Sequence, residues 1–238
     1  LGFGYVGAGL LFEECGRTLA SSPLLSSALV CSSLVAGLGN DENKQSMLPV
    51  IASGELILTL ALHENNRPDP SMTALAAVAD GDEYLLTGSK VHVIDGMIAH
   101  KLLVVARTGG GPGDREGLSL FIIDRNTSGL NISSTLNLDN HLSANIQFDS
   151  VRVGANGLLG EAGKAWPLLT RALDIGAICS ACELLGIAEE SFERTINYLK
   201  ERKQFGVAVG SFQALHHRAA LLFSEIALCR SVVLKALQ

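Results

Sequence analysis

The sequence predicts an α+β fold in three blocks: helices, then an all-β unit, then long helices. Two observations carry this. Apolar residues recur at helical spacing up to about residue 55 and again after about residue 160, whereas short aliphatic or β-branched runs separated by turn signals fill the stretch between. The middle block also lacks the strand–helix repeat of about 30 residues that builds a parallel sheet. The β unit is therefore expected to be antiparallel, and the blocks read as domains over 1–55, 56–160 and 161–238.

In the first block, "GLLFEECGRTLA" carries a helical apolar stripe. "PLLSSALVCSSLVAGLG" follows, with "SSP" ahead of it as an N-cap and a first-turn proline, and glycines at its end. No charge occurs from Thr18 to Asn40. A membrane span needs about 20 mostly apolar residues. Six serines and Pro23 make a buried helix the better reading, so no span is expected. "NDENKQSMLPVIASG" places acidic residues in a first turn, where the helix dipole favours them.

Six runs in the middle block read as strands: "ELILTLAL", "EYLLTGSKVHVI", "KLLVVART", "LSLFIID", "LNISSTLNL" and "ANIQFDSVRV". "DGDE", "GGGPGDREG" and "RNTSG" supply turns between them. Beyond "GLLGEAGKAW", the stretch up to "YLKERK" is expected to form one helix of roughly ten turns. A second helix starts near Ser211 and, with no stop signal, is expected to be still running at Gln238.

Composition narrows the function classes. A net charge of -6 argues against nucleic acid and anionic membranes as partners, and 5% aromatics argues against base-stacking platforms. Five scattered cysteines suit reduced thiols in a cytosol-like compartment. Cys179 and Cys182 form C-x-x-C within a helical pattern, with no second His or Cys pair beside them. They read as helix-buried thiols, and no metal site is expected. Gly2, Gly4 and Gly7 spell G-x-G-x-x-G, but no strand precedes them to aim a helix at a pyrophosphate. They are expected to be loop glycines. The start lacks Met and a basic signal-peptide region, and the last helix lacks a stop, so the chain reads as a piece of a longer one.

The stretch "ERKQFGVAVGSFQALHH" needs its own account. Arg202 stands at a helix end, before a break at Gly206 and Gly210. Its guanidinium suits the last helix carbonyls or, projecting outward, a phosphate. Phe205 and Phe212 would cover the break, and Gln213 offers both a donor and an acceptor. Chemistry alone leaves two readings open: a structural helical hairpin, or half of a ligand site.

Here the chain resembles the acyl-CoA dehydrogenase family. "YLKERKQFGVAVGSFQALHHRAA" is similar to the family pattern Y-x-x-x-R-x-x-F-G-x-x-(I/V)-x-x-F-Q-x-x-x-H-x-x-A. "FEECGR", "KQSMLPVIASGE", "VADGDEYLLTGSKVHVIDGMIAHKLLVVART", "GLSLFIIDRNTSGLNI" and "IQFDSVRVGANGLLG" fall in the family's order, so the resemblance runs over essentially the whole chain. It implies an N-terminal helical domain, a β-barrel-like middle domain and a C-terminal helical bundle, here truncated at both ends of the chain. It also implies tetramers, FAD bound between subunits, and electron-transfer flavoprotein as acceptor. The implied reaction is oxidation of the Cα–Cβ bond of an acyl-CoA thioester, with hydride transfer to flavin N5. The implied setting is cytoplasmic, or the mitochondrial matrix in a eukaryote.

By resemblance, Arg202, Phe205 and Gln213 meet the FAD of a neighbouring subunit, Arg202 at its pyrophosphate. Backbone groups of Leu62, His63, Val93 and Ile94 would contact the chain's own FAD. The flavin strands depart from the family. In "HENNRPDPS", His63 replaces a threonine, and Asn65, Asn66 and Arg67 replace small turn residues. In "KVHVID", His92 replaces the tryptophan that shields the ring, and Ile94 replaces the threonine that serves N5. The usual base, a glutamate, would lie beyond Gln238. The alternative base position on the long helix is Gly176, Ala177 stands where an arginine is common, and Asp174 matches the aspartate before them. Glu183 reads as a polar helix residue, and His216 and His217 as packing residues. Three readings follow: an FAD-dependent dehydrogenase, a weakly active subunit completing a partner's FAD site, or a helical scaffold with a β insert.

Overall fold

The computed structural model describes residues 4–66, 69–138 and 142–238. Its helices are α1 (Gly4–Thr18), α2 (Ser32–Leu38), α3 (Asp41–Ala52), α4 (Trp166–Glu201) and α5 (Gln213–Ala236), with a π-helix at Leu24–Cys31. The strands are β1 (Leu58–Ala61), β2 (Ala76–Asp80), β3 (Glu83–Ile94), β4 (Lys101–Arg107), β5 (Leu118–Asp124), β6 (Leu130–Leu136), β7 (Leu142–Gly154), β8 (Leu158–Leu159), β9 (Lys203–Gln204) and β10 (Val207–Ala208). The chain divides into two compact units, residues 23–174 and residues 1–22 with 175–238.

In residues 23–174, the uncharged stretch is a π-helix running into α2 rather than one serine-capped helix. Pro23 takes the cap position without a side-chain cap bond. The nearby serines serve other contacts. Ser27 Oγ accepts from Leu58 N at 3.0 Å, and Ser26 Oγ donates to Asp95 Oδ2 at 2.5 Å. α3 follows the sequence signals: Asn40 Oδ1 accepts from Asn43 N at 2.8 Å, and Asp41 and Glu42 fill the first turn. Among the described residues no helix is long and apolar enough to cross a membrane.

The sheet of this unit runs β6-β7-β3-β2-β4-β5-β8, with β1 added to β4. The expected antiparallel pairing holds for the β2–β3, β3–β7, β6–β7, β4–β5 and β5–β8 ladders. β1 departs from it, pairing parallel to β4 from Leu58↔Lys101 to Ala61↔Val104. β2 also touches β4 in parallel, at Ala76↔Arg107. β2 itself, alanine-rich and short, was not among the runs that read as strands. Alternation along β4 and β5 feeds two cores. Leu103, Val105, Leu118 and Leu120 pack with Leu34, Val35 and Leu169 on the helical side. Leu102, Val104, Phe121 and Ile123 pack with Leu86, Ile146 and Phe148 on the other.

In the other unit, α1 meets α4 backbone to backbone. A Cβ on Gly16 would lie 2.0 Å from the Glu183 carbonyl oxygen, and one on Gly186 would lie 2.0 Å from that of Glu13. Arg230 of α5 then joins both helices, pairing with Glu13 at 2.7 Å and with Glu189. Arg17 of α1 adds Glu193 of α4 at 2.9 Å. α4 is one 36-residue helix, as expected. α5 runs antiparallel to it, since Glu189 meets Arg230 while Phe192 stacks on Phe223. α5 is assigned to Ala236, and Leu237 keeps helical dihedrals and donates to Val233 O at 3.2 Å, so the helix carries on to the last residues as expected. Gly4 and Gly7 lie inside α1 and not in a loop, while Gly2 lies outside the described residues. Cys179 and Cys182 are buried free thiols on α4, and burial pushes Cys179 up to about 11.

The α1–α4 contact gives a stability test. For Gly186→Ala, overpacking against backbone costs up to about 3 kcal/mol and helix propensity returns about 1, so a net loss of about 1–2 kcal/mol is expected. Gly154→Ala, at a site with open space and φ -63, should lose nothing. Urea unfolding of both variants decides this.

Candidate functional site

Four of the expected site residues come together where β1 leaves the sheet and β3 ends. Val91 N donates to His63 O at 2.7 Å. The Thr59 hydroxyl donates to the Ile94 carbonyl. The β3–β7 ladder slips here. Lys90 pairs with Ile146 and Val93 with Ala144, so Val91 and His92 together oppose Asn145. Asn145 accommodates this bulge: its Oδ1 accepts from His92 N at 3.2 Å and its Nδ2 donates to Thr135 Oγ1 at 2.8 Å. His92 takes φ +51, a region uncommon for a residue with a Cβ. Bulges re-aim side chains and are frequent beside active sites. This one leaves His92 and Ile94 exposed while Leu62 and Val93 stay buried and His63 is half-buried.

Beneath the bulge lies a polar clasp that sequence reasoning missed. Lys90 is fully buried, and its Nζ donates to Leu62 O at 2.9 Å and to Glu64 Oε1 at 2.7 Å. Glu64 also accepts from Ala74 N at 2.8 Å and Leu75 N at 2.9 Å. Burial pushes the Lys90 ammonium down to about 8, against the pull of Glu64. His63 lies below its ordinary value, through burial first and then the charges of Lys90 and His92. It is therefore a neutral imidazole at neutral pH. Asn65 and Asn66 are exposed, and Arg67 lies outside the described residues. Strand parity puts Lys90 on one face with Gly88 and Leu86, but only the structure shows that this face is buried at Leu86 and Lys90.

The remaining expected residues lie in the other unit, on a short arm between α4 and α5. Arg202 follows the last residue of α4, donating its N to Tyr198 O and accepting from Val209 N, each at 2.8 Å. β9 and β10 then form a hairpin whose two turn residues, Phe205 and Gly206, have φ +54 and +83. Such a turn favours Asn-Gly. Gly206 meets that demand, whereas Phe205 holds a conformation strained for an aromatic residue. Its ring is 90% exposed and edge-on to Phe212 at 6.2 Å. The Arg202 guanidinium and Gln213 amide are exposed and have no hydrogen-bond partner among the described residues. The guanidinium thus leaves the helix carbonyls alone.

Gly176 lies within α4, with no carboxylate at that position. Glu183, also on α4, is half-buried, with its backbone carbonyl against Gly16. His216 and His217 are exposed on α5, so the packing role expected of them is not made among the described residues.

Three domain descriptions of one family match the chain in order: acyl-CoA dehydrogenase N-terminal domain over residues 1–55, middle domain over 65–151 and C-terminal domain over 163–238. The chain belongs to the acyl-CoA dehydrogenase family. A probable acyl-CoA dehydrogenase of Bacillus subtilis, YngJ, is 34% identical over 95% of this chain and 61% of its own length. The structure of butyryl-CoA dehydrogenase from Megasphaera elsdenii superposes with a TM-score of 0.90 at 27% identity, over 98% of this chain and 63% of that one. A variant of the steroid ACAD Tcur3481–Tcur3483 reaches 0.83 at 33% identity, over 99% and 61%. The chain spans between 53% and 61% of the length of curated relatives such as these.

The clasp generates a pH prediction. Folded Lys90 loses its proton near 8, whereas an ordinary lysine holds its proton to 10.5. Within that window the unfolded chain binds more protons, so stability rises with pH. Relative to the double variant Lys90→Met/Glu64→Gln, the natural chain should gain stability between pH 8 and 10.5, read by urea unfolding across the window.

Proposed function

We propose that the chain takes part in the flavin-dependent α,β-dehydrogenation of an acyl-CoA thioester, at an FAD site shared between subunits. The arm carries this reading: a free guanidinium, a free amide and a strained, exposed aromatic ring lie on one short hairpin and helix start. That donor set fits FAD. The planar Arg202 fork suits a pyrophosphate, Gln213 offers a donor and an acceptor, and Phe205 a flat apolar face. On this reading the arm meets the FAD of a neighbouring subunit in a homo- or hetero-oligomer. Bound FAD supplies the hydride acceptor, and electron-transfer flavoprotein takes the electrons onward. Leu62, His63, Val93 and Ile94 line the chain's own FAD with backbone groups and apolar surface. Gly176 cannot abstract the substrate α proton, which falls to a carboxylate elsewhere.

Two residues favour a second reading, in which the chain mainly completes the FAD site of a partner subunit. Ile94 is exposed at the bulge and has no hydroxyl to donate, and His63 is a half-buried imidazole where the family pattern has a threonine. The arm, by contrast, keeps every residue of the pattern.

The visible flavin absorbance of the purified protein separates the readings: one FAD per chain supports the first, and flavin only after a partner is added supports the second. Two variants test the arm itself. A hydrogen bond from a charged group contributes about 1.5–3 kcal/mol, so Arg202→Ala should weaken FAD binding about tenfold or more with an unchanged unfolding curve. Phe205→Asn should relieve turn strain, raising stability by up to about 1 kcal/mol, while weakening FAD binding. Full affinity in both variants would remove the arm from the site.

A further inference from the structure

We propose that Lys90 is a positioning residue for the cofactor-facing backbone: by holding the Leu62 carbonyl and the Glu64 carboxylate, it fixes the segment after β1 against the β3 bulge. The inference rests on the FAD reading above for its consequence, and on geometry for the clasp itself.

Lys90 is the last β3 residue in regular register before the bulge, and the next residue, Val91, donates to His63 O at 2.7 Å. The two donor bonds of Nζ end on Leu62 O and Glu64 Oε1, either side of His63. Glu64 passes the restraint on to Ala74 N and Leu75 N, ahead of β2. One buried side chain therefore ties together three stretches of backbone, two of which carry the residues expected to line FAD. The ionisable groups around it are Glu64 and His63 on the segment after β1, and His92 on its own strand. Charge is not what the clasp requires. A neutral lysine amine keeps two N–H donors, one for each of the two acceptors. A methionine has none. An arginine would not fit a side chain with no exposed surface.

The test uses the intact chain and two variants. Lys90→Met/Glu64→Gln removes both charges together, avoiding a lone buried ion, and keeps one of the two oxygens that accept from the Ala74 and Leu75 amides, so the loss of the other bond is common to this variant and to Glu64→Gln alone. It should fold, exchange the Val91 amide at least about tenfold faster than in the natural chain while Val104 of β4 is unchanged, and bind FAD at least about tenfold more weakly. Glu64→Gln alone, studied above the pH of about 8 at which Lys90 is neutral, keeps both Lys90 donors. It should lose clearly less Val91 protection and FAD affinity than the double variant, because the Lys90 bond to the Leu62 carbonyl remains. Unchanged Val91 exchange in the double variant would overturn the proposal. So would Glu64→Gln losing as much as the double variant, because Glu64 would then hold the segment without Lys90. If the natural chain takes up no FAD, the reading of an own FAD site fails, whereas the exchange measurement still decides the clasp.

Discussion

Strand β4 is covered on both faces, and much of residues 23–174 follows from that. Leu102, Val104 and Ala106 enter one core, Leu103 and Val105 the other, and all are fully buried. Burying each Leu or Val side chain contributes about 1.5–3 kcal/mol, and a slip of one residue would exchange the two sets. The register of β1 and β5 against β4 is therefore tightly held. At the end of the strand, Arg107 is buried and has no carboxylate partner among the described residues. It donates instead to the carbonyls of Ser71, Thr73, Asp114 and Glu116 at 2.7–3.1 Å. The central strand thereby anchors the far side of the loop that begins at Glu64.

The same loop is held at its near side by Lys90 and Glu64, and the bulge sits directly on that clasp. A strand that kept regular pairing to its end would alternate strictly between faces. The extra residue opposite Asn145 breaks the alternation and brings His92 and Ile94 out to the surface. On the proposed FAD reading, rigid support lies beneath and exposed, re-aimed residues lie above, as a backbone-built cofactor face would need. On that reading, His63 and Ile94 would change what the face can donate, while the Lys90–Glu64 clasp beneath keeps its bonds.

The arm in the other unit uses the opposite arrangement. Its fixed points are backbone bonds, Arg202 to Tyr198 and Val209 to Arg202, while the Arg202 guanidinium and Gln213 amide have no partner among the described residues and the exposed Phe205 ring meets Phe212 edge-on. Holding Phe205 at positive φ opposes folding by about 1–3 kcal/mol. An exposed ring returns little of that within this chain. Such strain is what a binding surface retains and a purely structural turn would shed. The close α1–α4 approach at Gly16 and Gly186, with Arg230 bridging to α5, holds the three helices together farther along α4 from the arm.

Several features were legible in the sequence alone. Periodicity marked α3, α4 and six of the sheet strands, because amphipathic spacing and caps such as Asn40 are local properties. The arm was legible too, since Arg202, Phe205, Gly206 and Gln213 stand within one short stretch whose pattern the family shares. Tertiary structure alone decided the parallel pairing of β1 with β4, the π-helix at Leu24–Cys31, the bulge opposite Asn145 and the clasp of Lys90. Each depends on partners far away in sequence: Ser27 on Leu58, His92 on Asn145, Lys90 on Leu62 and Glu64. Local propensity carries no record of such partners. A lysine on a strand reads as solvated until packing places it where no water reaches, and only then must it find acceptors and hold them.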